Sequence, residues 1–123
     1  MPAADPDLSA AAAALALAAG VVDTGVRHLA ASGGRDSIDT HQVAAYDLAH
    51  AAAAVAVAGA AVTYGAKGPL EARIACAFVA DATFDVMTRI CCREEAWGVE
   101  PGGLDGARSF VSRFRDPEFV AAL

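Results

Sequence analysis

Asp47 and His50 stand three residues apart in a stretch with helical patterning, so both side chains fall on one face. Carboxylate-x-x-histidine is the spacing by which bundle helices hold di-iron centres. Such a centre needs the motif on two helices and further carboxylates from the others. The segment that follows offers Asp81 and Asp85 but no histidine, and the first offers His28 with Asp23 about one turn earlier. The expectation is therefore a local Asp–His hydrogen bond at a helix interface. His41 belongs to the first turn of the same helix and is expected to be exposed.

Cys91-Cys92 is the second candidate, as a nucleophile or redox pair. A reactive thiol wants a helix N-terminus or a nearby cation to lower its pKa. These thiols come late in their segment, at its negative end, with Arg89 and Arg93 as the only local help. Packing is the expected role. Trp97 closes the charged turn Arg93-Glu94-Glu95 and has two readings. It caps the bundle end, with its indole N–H on a loop carbonyl, or it anchors a partner. Arg108, Arg113 and Arg115 make a small basic patch, expected to be a solvated face, the alternative being a site for an acidic partner surface or a phosphate. The chain has no glycine-rich phosphate loop, no G-x-S-x-G and no zinc-like cysteine spacing, so no catalytic, cofactor or metal residue is assigned.

The elements that must position these residues are helical throughout. No segment alternates with period two over a useful length, so no strand is expected. The expected helices are 6–32, 40–64, 69–97, 104–114 and 117–122. The first starts at Asp5-Pro6, carries Leu8, Leu15, Val22 and Leu29 at intervals of seven, and ends at Ser32-Gly33-Gly34. Residues 35–38 read as a loop. Asp39-Thr40-His41-Gln42 reads as a capping box for the second helix, whose stripe is Leu48, Val55 and Val62, flanked by Val43 and Val57. Lys67-Gly68-Pro69 is a short turn, so the second and third helices should pack antiparallel. The third helix has marks at Leu70, Ala77, Phe84 and Cys91, widened by Ile74 and Phe78, with Asp85 and Arg89 as a surface pair. Phe110 and Phe114, four apart, mark the short helix. The fold class is all-α: one domain, residues 1–123, an antiparallel bundle of three long helices plus a short C-terminal helix.

Alanine supplies 33 of the 123 residues, which lets helices approach closely but makes the core poor in large side chains. The net charge of −6 argues against nucleic acid and anionic membrane as partners. The uncharged stretch 10–22 is short of the roughly 20 residues a bilayer span needs, and no basic residue precedes Arg27. No membrane association and a cytoplasmic location are expected. The region around 10–19 is apolar nearly all round, which predicts cover from a second subunit or domain. Ala14, Leu15 and Ala18, with Trp97, are the expected interface residues of a homodimer.

Four strings resemble helical sequence of the acyl-CoA dehydrogenase family: DTHQVAAYDLA at 39–49, YGAKG at 64–68, ARIACAFVAD at 72–81 and REEAWGV at 93–99. The strings look like the extra helical domain preceding the dehydrogenase core in methylsuccinyl-CoA dehydrogenase-type members. The likeness covers about residues 39–123. Family enzymes oxidise acyl-CoA thioesters at Cα–Cβ, with a glutamate base and FAD as hydride acceptor. This chain matches neither the flavin-binding nor the glutamate-bearing segments. The resemblance thus implies a non-catalytic accessory domain or split subunit, with FAD only in the complete enzyme and the dehydrogenase core as partner. The alternative is a freestanding homo-oligomeric interaction protein.

Overall fold

The computed structural model describes residues 4–33 and 35–123. It is an all-α bundle, with no strand among the described residues. The long helices are α1 (Leu8–Ala31), α3 (Gln42–Gly65) and α4 (Pro69–Ile90), with a short α2 (Arg35–Thr40) between the first two. After α4 come α5 (Glu94–Trp97), a 3-10 turn (Asp105–Ala107), α6 (Arg108–Phe114) and α7 (Pro117–Ala121). α3 and α4 form the most extensive helix pair, α1 packs on both, and α6 lies against α4 and α1.

The close approach of α1, α3 and α4 follows from small residues on their inner faces. The buried positions of α4 are Ala72, Ala75, Cys76, Val79, Ala80, Ala82, Thr83, Val86 and Ile90. At Gly25 of α1, an added Cβ would stand 2.6 Å from Leu48 Cδ2 and 3.3 Å from the Trp97 ring. The bulk missing from the long helices comes from the short ones. Phe110, Phe114 and Phe119 pack with Ala11, Ala14, Ala58, Cys76, Val79 and Ala80. Trp97 and Leu104 close a second cluster with Ala18, Val21, Val22, Leu48, Ala51, Val86 and Ile90. Phe114 stacks on Phe110 at 4.8 Å and meets Phe119 edge-on at 5.0 Å.

Several expected boundaries move. α1 is capped by Asp7, whose carboxylate accepts from the Ala10 N–H, so the helix starts two residues later than the Asp5 reading. It ends at Ala31; of its expected stop, Gly34 lies outside the described residues. Residues 35–40 are helix, not loop, and Asp39 is inside that helix. It therefore cannot cap α3, whose N-cap is His41 with no side-chain cap bond. The expected helix 69–97 is two helices. α4 stops at Ile90, because Cys92 takes φ +63° and turns the chain before α5. The first turn of the expected helix 104–114 is 3-10. α7 starts as expected, with Asp116 accepting from the Phe119 N–H.

The second-helix stripe is placed correctly in its centre, with Leu48 buried and Val55 and Val62 packed against the core, but its expected flanks Val43 and Val57 are exposed, because they turn to the outer face of α3. The third-helix stripe is out of phase. Leu70, Ile74, Phe78 and Phe84 are exposed, as is Cys91. The expectation followed the largest side chains, whereas the inner face of α4 is filled by the smallest, since only they fit between closely spaced helices.

Candidate docking surface

The charged groups of α3 and α4 hold the two helices together. Asp47, 5% exposed, accepts from Arg89 Nη1 at 3.1 Å and from Arg93 Nη1. Arg89 also donates through Nε to Asp85 Oδ2 at 3.0 Å, one turn earlier on α4. The Asp85 hydrogen bond raises the Arg89 pKa above its ordinary value; burial opposes this, and the Asp85 and Asp47 charges reinforce it. Asp47 therefore makes cross-helix ion pairs, not the expected hydrogen bond to His50. The His50 ring lies instead against Tyr46, with centroids 4.3 Å apart. Among the described residues, no group of three or more His, Cys, Asp or Glu side chains is placed to hold a metal ion.

Arg115 donates through Nε to Asp81 at 2.8 Å and lies 3.7 Å over the Phe84 ring, tying α6 to the outside of α4. Arg113 lies 4.8 Å over Phe114. Arg108 lines a cleft of about 650 Å³ whose walls also carry Glu94, Glu100, Asp105 and Asp116. The basic patch is thus divided among an ion pair, a ring face and a mixed-charge cleft.

The expected interface residues are largely spent inside the chain. Ala14 is 3% exposed, and Ala18 and Trp97 are fully buried. They form this chain's own core, so as placed they cannot make a seam with a second subunit; Leu15 is half-buried and packs on the same cluster. The capping reading of Trp97 holds for its ring but not for its N–H, since Nε1 is buried without a hydrogen-bond partner.

What lies uncovered is an apolar strip along α3 and α4. Val43, His50, Val57 and Tyr64 recur every seven residues on α3 and all are exposed, with Tyr46 beside them. On α4, Leu70, Ile74 and Phe78 follow one another at intervals of four and are exposed too. The two rows adjoin. Arg89 reaches Asp47 and lies 6.0 Å over the Tyr46 ring, which fixes the facing sides of the two helices. Counting back along α4 from Arg89, Phe78 and Ile74 fall on that same side. By the same count Leu70 falls about 100° from Arg89, so of this row Ile74 and Phe78 turn toward α3, whose exposed Val57 and Tyr64 share the Tyr46 side of that helix. Between Asp47 and Lys67 the chain has no Asp, Glu, Lys or Arg. The spacing of seven at Val43, His50, Val57 and Tyr64 is present in the sequence, but Val43 and Val57 read there as flanks of the core stripe, and only the structure shows this face of α3 bare.

α1 and α3 are each also long and apolar enough to cross a membrane by length and composition. Comparison with protein-family models, with curated proteins and with solved structures finds no match to this chain.

Proposed function

We propose that this chain is a non-catalytic helical accessory or assembly domain that acts by docking. The partner proposed is the core of an FAD-dependent acyl-CoA dehydrogenase, which would hold the flavin and carry out the oxidation. The observation that carries the docking part is the bare α3–α4 strip, with Val57, Tyr64, Leu70, Ile74 and Phe78 in water. Contiguous apolar patches beyond a few hundred Å² mark interaction sites.

The choice of partner rests on the resemblance. Three of its four strings, 39–49, 64–68 and 72–81, fall mostly on the α3–α4 hairpin and include Tyr64, Ile74 and Phe78 of the strip. The test is affinity purification of the tagged chain from its native source. Recovery of a yellow flavoprotein in stoichiometric amount supports the proposal, and recovery of the chain without flavin contradicts it.

A homo-oligomer of this chain is the second reading. It is favoured by the uncharged run of α3 between Asp47 and Lys67, which would meet its own copy across a two-fold axis without opposing like charges. Light scattering on the purified chain separates the two: a mass of twice 12.4 kDa supports self-pairing.

A further inference from the structure

Cys91 and Cys92 lie outside the strip and take no part in the docking reading. Both are free and exposed, and their sulfurs stand 3.8 Å apart. Neighbouring side chains usually diverge, by about 100° around a helix or to opposite faces of a strand. Here Cys91 caps α4 in an extended conformation and Cys92 adopts φ +63°, a left-handed state rare for a residue with a Cβ. That turn brings the two thiols to one side. The Cys92 thiol beside it, through their hydrogen bond first, pushes the Cys91 pKa above the ordinary thiol value, so Cys91 is held as S–H.

A direct disulfide suits this pair poorly. Adjacent Cα atoms are ~3.8 Å apart across a trans peptide, below the usual ~4.4–6.8 Å for a disulfide. A bridging centre suits it better. Bonded at ~2.3 Å, the zinc–thiolate length, a centre spanning 3.8 Å would have a sulfur–centre–sulfur angle of roughly 110°. That is the angle of a pyramidal or tetrahedral atom. No third His, Cys, Asp or Glu among the described residues completes a ligand set, which favours a centre satisfied by two sulfurs.

We propose that Cys91 and Cys92 form a two-sulfur chelating site for trivalent arsenic carrying one further substituent. Two As–O bonds of an arsonous acid break and two As–S bonds form. Each thiol proton leaves with a hydroxide as water, and no atom changes oxidation state. The mixed-charge cleft beside Cys91 has Met87, Ile90 and Leu104 among its lining residues, which give the substituent apolar contacts.

The test uses phenylarsine oxide, equimolar with the reduced full chain, read by intact mass and thiol titration. One phenylarsenic adduct per chain is expected, with two of the three thiols lost. It should survive excess monothiol and be removed by a 1,2-dithiol. Cys91→Ser and Cys92→Ser should each abolish the dithiol-reversible adduct, whereas Cys76→Ala should keep it. Absence of the adduct, or its persistence in either serine variant, overturns the proposal. Zn²⁺ added instead should be lost on desalting; its retention at one per chain would reveal a fuller ligand set and overturn the two-sulfur assignment.

Discussion

Asp47 on α3 and Arg89 on α4 meet at 3.1 Å across the helix pair that carries the exposed apolar strip. The carboxylate is buried, while the Arg89 side chain is 23% exposed and Arg93, its other partner, is half in water. Intermediate values are expected on both counts. A surface pair is worth up to ~1 kcal/mol, and breaking a buried one costs ~3–5 kcal/mol. Asp47→Ala should cost about 2 kcal/mol in urea unfolding, because the two arginines can turn outward once released. A double-mutant cycle with Arg89→Ala should return a coupling of about 1 kcal/mol. Coupling near zero would mean that the pair does not hold α3 to α4.

Gly25 and Gly20 lie on the same helix and should respond with opposite signs. An added Cβ at Gly25 meets Leu48 at 2.6 Å, whereas at Gly20 nothing lies within 4 Å. Gly25→Ala should destabilise by about 1–3 kcal/mol through overpacking. Gly20→Ala should stabilise by about 0.5–1 kcal/mol, by removing the conformational freedom of an exposed helical glycine. Thermal melts of both variants, compared with wild type, check the pair.

Phe114 is fully buried, whereas Phe84 is 38% exposed beneath Arg115. Phe114→Ala should cost ~3–5 kcal/mol. Phe84→Ala should cost about 1–2 kcal/mol, from partial burial and the guanidinium contact. Equal losses in chemical unfolding would place Phe84 in the core.

How far the fold was legible depended on side-chain size. The all-α class, the Lys67-Gly68-Pro69 turn and the Leu48–Val62 stripe were readable, because spacing and breakers are local signals. The phase of α4 was not. Its large residues Leu70, Ile74, Phe78 and Phe84 look like a core stripe by hydrophobicity, and only tertiary packing reveals that Ala75, Cys76 and Val79 fill the inside. The same inversion applies to the expected interface residues. Ala14 and Ala18 looked like a surface seam but are consumed by the chain's own core. The Asp47–Arg89 link was also invisible, since it joins residues 42 apart. The one trace of it in the sequence is that Arg89 and Arg93 stand four apart on the far side of the turn.

Thr83 lies wholly inside the bundle, and its hydroxyl has no hydrogen-bond partner. A buried polar group left unpaired costs about 1–3 kcal/mol. Thr83→Val keeps the shape and removes the hydroxyl, so it should stabilise the fold by about 1 kcal/mol. A loss of stability in guanidinium unfolding would show that the hydroxyl is satisfied after all.

The central claim is that the α3–α4 strip docks onto a flavoprotein core. The most direct measurement is sedimentation velocity of the tagged chain recovered from its native source, followed at both the protein and flavin absorbance bands. Wild type and an Ile74→Asp, Phe78→Asp variant are compared. Both substituted side chains are about 40% exposed, so the variant should keep its helical spectrum at the temperature of measurement while losing about 2–4 kcal/mol of stability. Wild type should sediment in a flavin-absorbing boundary heavier than 12.4 kDa, and the variant as a colourless 12.4 kDa species. A colourless 12.4 kDa wild type, or a variant that stays in the flavin-bearing boundary, would contradict the account.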